Sequence, residues 1–241
     1  AQTSVPLVET NQERKATVSH MDNGWVLENQ FLRCVINENG ELISAQKPDG
    51  DTEYLAGKGN RFLMFKDVNT CYDAWELGSM YENMPVNLTG AVKISGQQVL
   101  NIATLELEKQ LGDSTLKQTI LLGADAKYLE FITEIDWKER HKLLKVSFPV
   151  NAYANEAYHE TQFGYVKYPV HRSYQTDADR YEVCNHRYTA LTDGAHGAAV
   201  LNNGKYGVNV VENEIRLTLL KSAMMPDQTA DRGYQIVTYA F

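Results

Sequence analysis

The chain is 241 residues long, 43% hydrophobic, 22% charged and 10% aromatic, a globular composition that excludes disorder, collagen and coiled coil. A chain of this length hides roughly 70% of the surface that its unfolded form exposes, so stability requires neither a metal nor a disulfide staple. With 23 Lys and Arg against 31 Asp and Glu, the formal charge is −8; no basic stripe offsets it, which argues against nucleic acid and anionic membranes as partners.

Residues 1–20 read as a linker or edge segment, because the start is polar and without pattern. From Trp25 the texture becomes β-prone: Trp25 to Asn29, Phe31 to Ile36 and Leu42 to Ser44 are short strand-like runs, and Asn39-Gly40 between the last two is a strong hairpin signal. Lys47-Pro48-Asp49-Gly50 is a turn, with Pro presetting φ and Gly supplying positive φ. Further strands are expected at Arg61 to Phe65, Ala91 to Ser95, Val99 to Lys109, Ser114 to Leu122 and Leu143 to Val150. In the last of these the apolar residues fall on every second position, as in a strand with one face in the core. Lys127 to Lys142 is ambiguous. Leu129, Phe131, Ile135 and Trp137 alternate as in a strand, while Glu130, Glu134 and Lys138 have helical i,i+4 spacing; the aromatic and β-branched content favours a strand.

The expected fold is therefore all-β, with residues 21–241 forming one large antiparallel β-sandwich; no crossover helices support a parallel sheet. The closing run Val237-Thr238-Tyr239-Ala240-Phe241 is strand-like and suggests a piece cut from a longer polypeptide, possible truncation of the sandwich included. Cys34, Cys71 and Cys184 are far apart and odd in number, which points to a reducing compartment and buried thiols. No apolar run approaches the roughly 20 residues that span a bilayer, and no basic-then-apolar leader opens the chain. A cytoplasmic location is expected.

Two stretches could carry chemistry. Gln162 to His186 gathers His171, Arg172, Asp177, Asp179, Arg180, Glu182 and His186 among Tyr165, Tyr168, Tyr174 and Tyr181. Carboxylates, an Arg and ring faces suit a sugar, which offers hydroxyls to polar groups and C–H faces to aromatics; a polar loop with tyrosines over a sheet edge has the same composition. Cys71 to Leu77 places Asp73, Trp75 and Glu76 together, a sugar platform or a closed core edge. His171 and His186 have no third ligand at a zinc-like spacing. His20, His141, His159 and His196 are isolated, no Gly-x-Ser-x-Gly elbow occurs, and Gly57-Lys58-Gly59-Asn60 lacks phosphate-loop spacing.

Trp137-Lys138-Glu139-Arg140-His141-Lys142-Leu143-Leu144-Lys145-Val146-Ser147-Phe148-Pro149-Val150 resembles the W-K-E-x-H-K-x-L-K-x-x-F-P-V signature of glycoside hydrolase family 38, the class II α-mannosidases. Gln162-Phe163-Gly164-Tyr165, Pro169 and His171, Arg180-Tyr181-Glu182-Val183 with His186, Leu201 to Gly207, Arg216 to Ser222, Pro226-Asp227 and Ala230-Asp231 follow in the same order. Asp73-Ala74-Trp75-Glu76 resembles the family's D-A-W-D segment, with Glu in place of the last Asp. Thr176-Asp177-Ala178-Asp179-Arg180 stands where relatives carry a W-D-W-A-R-like run, without its tryptophans.

The resemblance implies a C-terminal β domain with a galactose-mutarotase-like supersandwich fold. It implies that the parent hydrolyses α-mannosides with retention, by an Asp nucleophile, an Asp general acid and a zinc ion on an N-terminal α/β barrel. This chain would hold no catalytic residue and no metal or other cofactor. It would be inactive alone and would support the barrel and a helical domain of the same parent, with a homo-oligomer open. Asp73, Trp75, Tyr72, His171 and Arg180 are the candidates for the rim of the mannoside site. The rival readings are a self-contained mutarotase-like epimerase, with His171 or His186 and Glu182 as acid and base, and a carbohydrate-binding or assembly module.

Overall fold

A computed structural model describes residues 14–69 and 71–241. The early strands are β1 (Thr17–Met21), β2 (Gly24–Glu28), β3 (Arg33–Asn37), β4 (Leu42–Gln46), β5 (Arg61–Lys66), β6 (Pro85–Val86), β7 (Val92–Val99), β8 (Ile102–Leu111), β9 (Ser114–Gly123), β10 (Glu130–Trp137) and β11 (Lys142–Pro149). They are followed by β12 (Glu156–Thr161), β13 (Gly164–Pro169), β14 (Val183–Cys184), β15 (Tyr188–Thr192), β16 (Gly197–Asn202), β17 (Gly207–Val211), β18 (Glu214–Lys221) and β19 (Gly233–Ala240). Among the described residues the helical content is a 3-10 turn at Tyr81–Asn83 and a single turn, α1, at Gln175–Ala178.

Three antiparallel sheets result. A four-stranded meander runs β1-β2-β3-β4, a nine-stranded sheet runs β13-β12-β15-β16-β19-β10-β9-β8-β7, and a six-stranded sheet runs β14-β17-β18-β11-β5-β6. One apolar core draws on all three, joining Leu27, Ile36 and Leu42 to Leu105, Phe131 and Ile135 and to Met64, Val146 and Phe148. Between the two large sheets, Phe131 of β10 stacks on Tyr239 of β19 at 5.1 Å and meets Phe148 of β11 edge-on at 5.8 Å. The buried polar groups here satisfy one another. Asn60 donates to Gln118 (2.7 Å), Gln118 to Thr133 (2.9 Å) and Tyr239 (2.8 Å), and the Tyr239 hydroxyl to Asn60 (2.7 Å), as a low-dielectric interior demands.

Several expectations meet the structure directly. Lys127 to Lys142 is a strand at its centre: β10 alternates buried and part-exposed residues along its length and pairs with both β9 and β19. The Asn39-Gly40 turn joins β3 to β4, with Gly40 at φ +76°. Thr17–Met21, which straddles the boundary between the segment read as linker or edge and the expected sandwich, forms strand β1 at one edge of the four-stranded sheet; the first thirteen residues lie outside the described set.

Other expectations are corrected. The strand expected to begin at Val99 begins at Ile102, because β7 runs on through Gly96 and turns at Leu100-Asn101. Gly96 is there for packing: a Cβ would stand 2.3 Å from the Trp25 ring, which lies across the strand. The expectation of buried thiols holds for Cys34 alone, since Cys71 and Cys184 are exposed; they sit in a surface loop and at the sheet edge. Burial pushes the Cys34 thiol up to about 12, with Glu53 adding to the effect. Finally, β11 has both faces buried. Leu144, Val146 and Phe148 enter the main core, and Leu143, Lys145 and Ser147 lie beneath the loops described next.

Candidate functional site

The six-stranded sheet carries on its outer face the stretches singled out from sequence. The first leaves β5 at Asp67, whose buried carboxylate lies 3.0 Å from Lys221. Asn69 donates to Asp67 (3.2 Å) and to the Glu76 carbonyl (2.8 Å). Tyr72, at φ +52°, opens a tight turn in which its carbonyl accepts from Trp75 and Glu76 at 2.8 and 2.9 Å. Asp73 points inward: its Oδ2 accepts the backbone N–H groups of Met224 (2.6 Å) and Met225 (3.1 Å), its carbonyl accepts from Lys221, and His141 lies 3.8 Å from Oδ1. Burial opposes the Asp73 charge, but these backbone donors, with His141 and Lys221, outweigh it and hold the carboxyl below its usual range. Tyr72 and Trp75 point to solvent, 65% and 73% exposed.

The second stretch leaves β13 at Pro169. His171 and Arg180 both approach Asp177, at 4.0 and 3.8 Å, and Asp177 also accepts the Tyr174 N–H. The Arg180 guanidinium lies 5.9 Å from the centre of the Tyr168 ring, while Tyr174 is exposed. The two stretches are sewn together. Tyr181 donates to the Leu77 carbonyl (2.5 Å), Arg172 to Glu82 (2.7 Å) and Tyr81 to Glu182 (2.5 Å). No hydrogen bond or ion pair among the described residues joins Tyr72, Asp73 or Trp75 directly to His171 or Arg180; the two sets are neighbours at one remove.

Beneath the seam lies Lys145, its side chain fully buried. It donates to Glu182 (2.7 Å) and Thr218 (2.6 Å), with its ammonium 5.7 Å from the Tyr81 ring centre. Burial lowers the Lys145 pKa and Glu182 opposes that fall; burial followed by Glu182 raises that of Tyr81. Register places Ser147 of β11 opposite Arg216 of β18, beside Arg61 of β5 and Asn209 of β17. There Arg216 bridges Glu82 (3.2 Å) and Glu214 (2.5 Å), and Glu214 also takes Arg61 (3.2 Å) and the Ser147 hydroxyl. Despite its burial, Glu214 and Glu82 keep the Arg216 pKa raised. Sequence reasoning missed this lattice. Its signal was a Lys and a Ser on the alternate positions of an apolar strand, with complementary acids far along the chain, Glu182 in a loop and Glu214 at the start of β18.

The lattice decides what this face can do. Asp67, Asp73, Glu82, Asp177, Glu182 and Glu214 each hold a cation or backbone donors, so none stands as a free acid or base. Glu182 is committed to Lys145 and Tyr81, His171 faces Asp177, and His186 packs on Tyr206 at 5.0 Å. The acid and base of the epimerase reading therefore do not converge. Exposed rings remain available for contact. A zinc ion does not fit: among the described residues no three His, Cys, Asp or Glu side chains converge to hold a metal.

Residues 27–229 match the sequence model described as "Glycosyl hydrolases family 38 C-terminal domain". The chain belongs to glycosyl hydrolase family 38. It is 33% identical over 234 residues to "Alpha-mannosidase 2C1" of Mus musculus, covering 95% of this chain and 22% of the mouse protein. Against "Alpha-mannosidase G" of Dictyostelium discoideum it is 32% identical over 223 residues, 89% of this chain and 20% of that protein. The chain thus spans about a fifth of the length of these curated relatives. A solved α-mannosidase from Enterococcus faecalis V583 shares the fold, with TM-score 0.71 at 14% identity, over 89% of this chain and 28% of that one.

The W-K-E-x-H-K signature has an architectural role in this family member. Trp137 is buried at the end of β10, and Glu139 accepts from the Asp113 N–H (2.7 Å) and the Ser114 hydroxyl (3.1 Å), tying the β8–β9 turn to the β10–β11 turn. Gly112 in that turn, at φ +61°, would place a Cβ 2.6 Å from the Glu139 carboxylate.

Proposed function

We propose that the chain is the C-terminal β region of a zinc-dependent α-mannosidase that cleaves α-mannosides with retention, and that nucleophile, general acid and zinc all belong to another part of the parent. In this reading the domain is a mutarotase-like supersandwich of a cytoplasmic enzyme, and its outer face packs against the catalytic barrel. The observation that carries the reading is the pairing of a family match with a face on which Asp67, Asp73, Glu82, Asp177, Glu182 and Glu214 are each held by a cation or by backbone donors. A retaining mechanism needs two carboxyl groups about 5 Å apart with an acid–base role open to them, and this face offers ion pairs instead.

Tyr72 and Trp75 present their rings at the rim, as a sugar C–H face or a neighbouring domain surface requires. Asp73 acts as the clamp that orients them, through Met224 and Met225. His171 and Arg180 hold Asp177 and fix the adjoining turn. The test is steady-state hydrolysis of an aryl α-mannoside by the full parent enzyme. Trp75→Ala is expected to raise KM about tenfold or more through lost ring contact, with the zinc content unchanged. An unaltered kcat/KM would remove Trp75 from the rim.

A further inference from the structure

On the outer face of the six-stranded sheet, one side chain bridges the root and the tip of the segment that carries Tyr72 and Trp75. Lys221 is the last residue of β18, and register sets it opposite Leu143 of β11, which in turn faces Phe65 of β5. Leu143 and Phe65 pack with Tyr81 beneath the loops, so matched positions on these strands share the outer face. Asp67 follows two residues beyond Phe65, its side chain fully buried 3.0 Å from the Lys221 ammonium. The Asp67 N–H donates to the His141 carbonyl (2.9 Å), and the His141 N–H to the Ser222 carbonyl (2.9 Å). The root of the segment is thereby tied to the residue after Lys221. The same ammonium donates to the Asp73 carbonyl, where Asn69 adds a longer contact of 3.4 Å. That carbonyl lies inside the turn that Tyr72 closes onto Trp75 and Glu76. A lysine suits the position, because its three N–H donors serve a carboxylate and a carbonyl at once.

We propose that Lys221 is a positioning residue for the α-mannoside site: by joining Asp67 to the Asp73 carbonyl it sets the turn that presents Trp75 to the substrate. The inference rests on the reading of Trp75 as a rim residue. It is tested by steady-state hydrolysis of an aryl α-mannoside by the full parent enzyme. Lys221→Met is paired with Asp67→Asn, so that no buried carboxylate is stranded, and the pair is assayed alone and together with Trp75→Ala. The pair is expected to raise KM about tenfold with kcat within about twofold. Adding it to Trp75→Ala is expected to raise KM no further, since Lys221 acts through Trp75. Asp67→Asn alone, which leaves the Lys221 contact with the Asp73 carbonyl, is expected to raise KM by less than half as much as the pair. In the 241-residue chain, the pair is expected to shift the indole N–H resonance of Trp75 and to leave those of Trp25 and Trp137 in place. An unchanged KM for the pair while Trp75→Ala raises it, additive losses, an equal rise for Asp67→Asn alone, an unmoved Trp75 indole, or collapse of all three indole signals would overturn the inference and leave the rim reading standing. An unchanged KM for Trp75→Ala would remove both.

Discussion

The two faces of β11 are built from opposite materials. Inward, Leu144, Val146 and Phe148 fill the space between the two large sheets; outward, Lys145 and Ser147 anchor ion pairs under two long loops. Both faces are buried, and they fail differently. An apolar core loses contacts in proportion to the volume removed, whereas a buried ion pair that loses one partner leaves a stranded charge. The inner face therefore sets the stability of the whole sandwich, and the outer face sets whether the loops carrying Tyr72, Trp75 and Tyr174 stay in place.

Substitutions on each face sharpen that contrast. Phe148→Ala, which removes a ring packed against Phe131, Tyr239 and Phe241, is expected to cost about 4 kcal/mol in urea unfolding. Lys145→Met, which strands Glu182, is expected to cost about 3 kcal/mol, because Tyr81 still donates to that carboxylate. Adding Glu182→Gln to Lys145→Met is expected to recover more than half of the loss. If the double variant is as unstable as the sum of the singles, the pair does not act as a unit.

The smallest effect is read by pH. His159 is buried on β12 against Thr189 (3.0 Å) and Tyr168, and burial depresses its pKa to about 4. Unfolded, it takes a proton near pH 6.5; folded, only near 4. It contributes nothing above about pH 6.5 and progressively destabilises the fold as pH falls from there to about 4, by about 2 to 3 kcal/mol. Between those limits His159→Gln is expected to lose less stability than the parent chain by that amount; parallel curves would show that His159 is protonated in the fold.

The contrast between the faces also explains what was legible in the sequence. Turn chemistry marks β2 to β5, and period-two alternation marks β9 and β10, because a strand with one face in the core writes its burial into every second residue; β11 alternates in the sequence as well, but only because its second buried face carries the polar Lys145 and Ser147. Gly96 misleads, since a glycine demanded by the Trp25 ring looks the same as a turn glycine. Beyond Val150 the edge strand β13 is largely exposed and leaves no burial pattern, whereas β18 does alternate, with Ile215, Leu217 and Leu219 buried, and is as legible a strand as β9. The candidate site is legible as a set of residue types in two loops. What no local pattern records is that Lys145 and Glu182, 37 positions apart, form one buried pair, or that Asp73 spends its carboxylate on the backbone of Met224 and Met225.

The central claim is that the described face holds and shapes while chemistry happens on another region of the parent. It is tested most directly by incubating the purified 241-residue chain with an aryl α-mannoside and added zinc. The account predicts release no faster than in the protein-free blank; saturable, zinc-dependent turnover by this chain alone would contradict it.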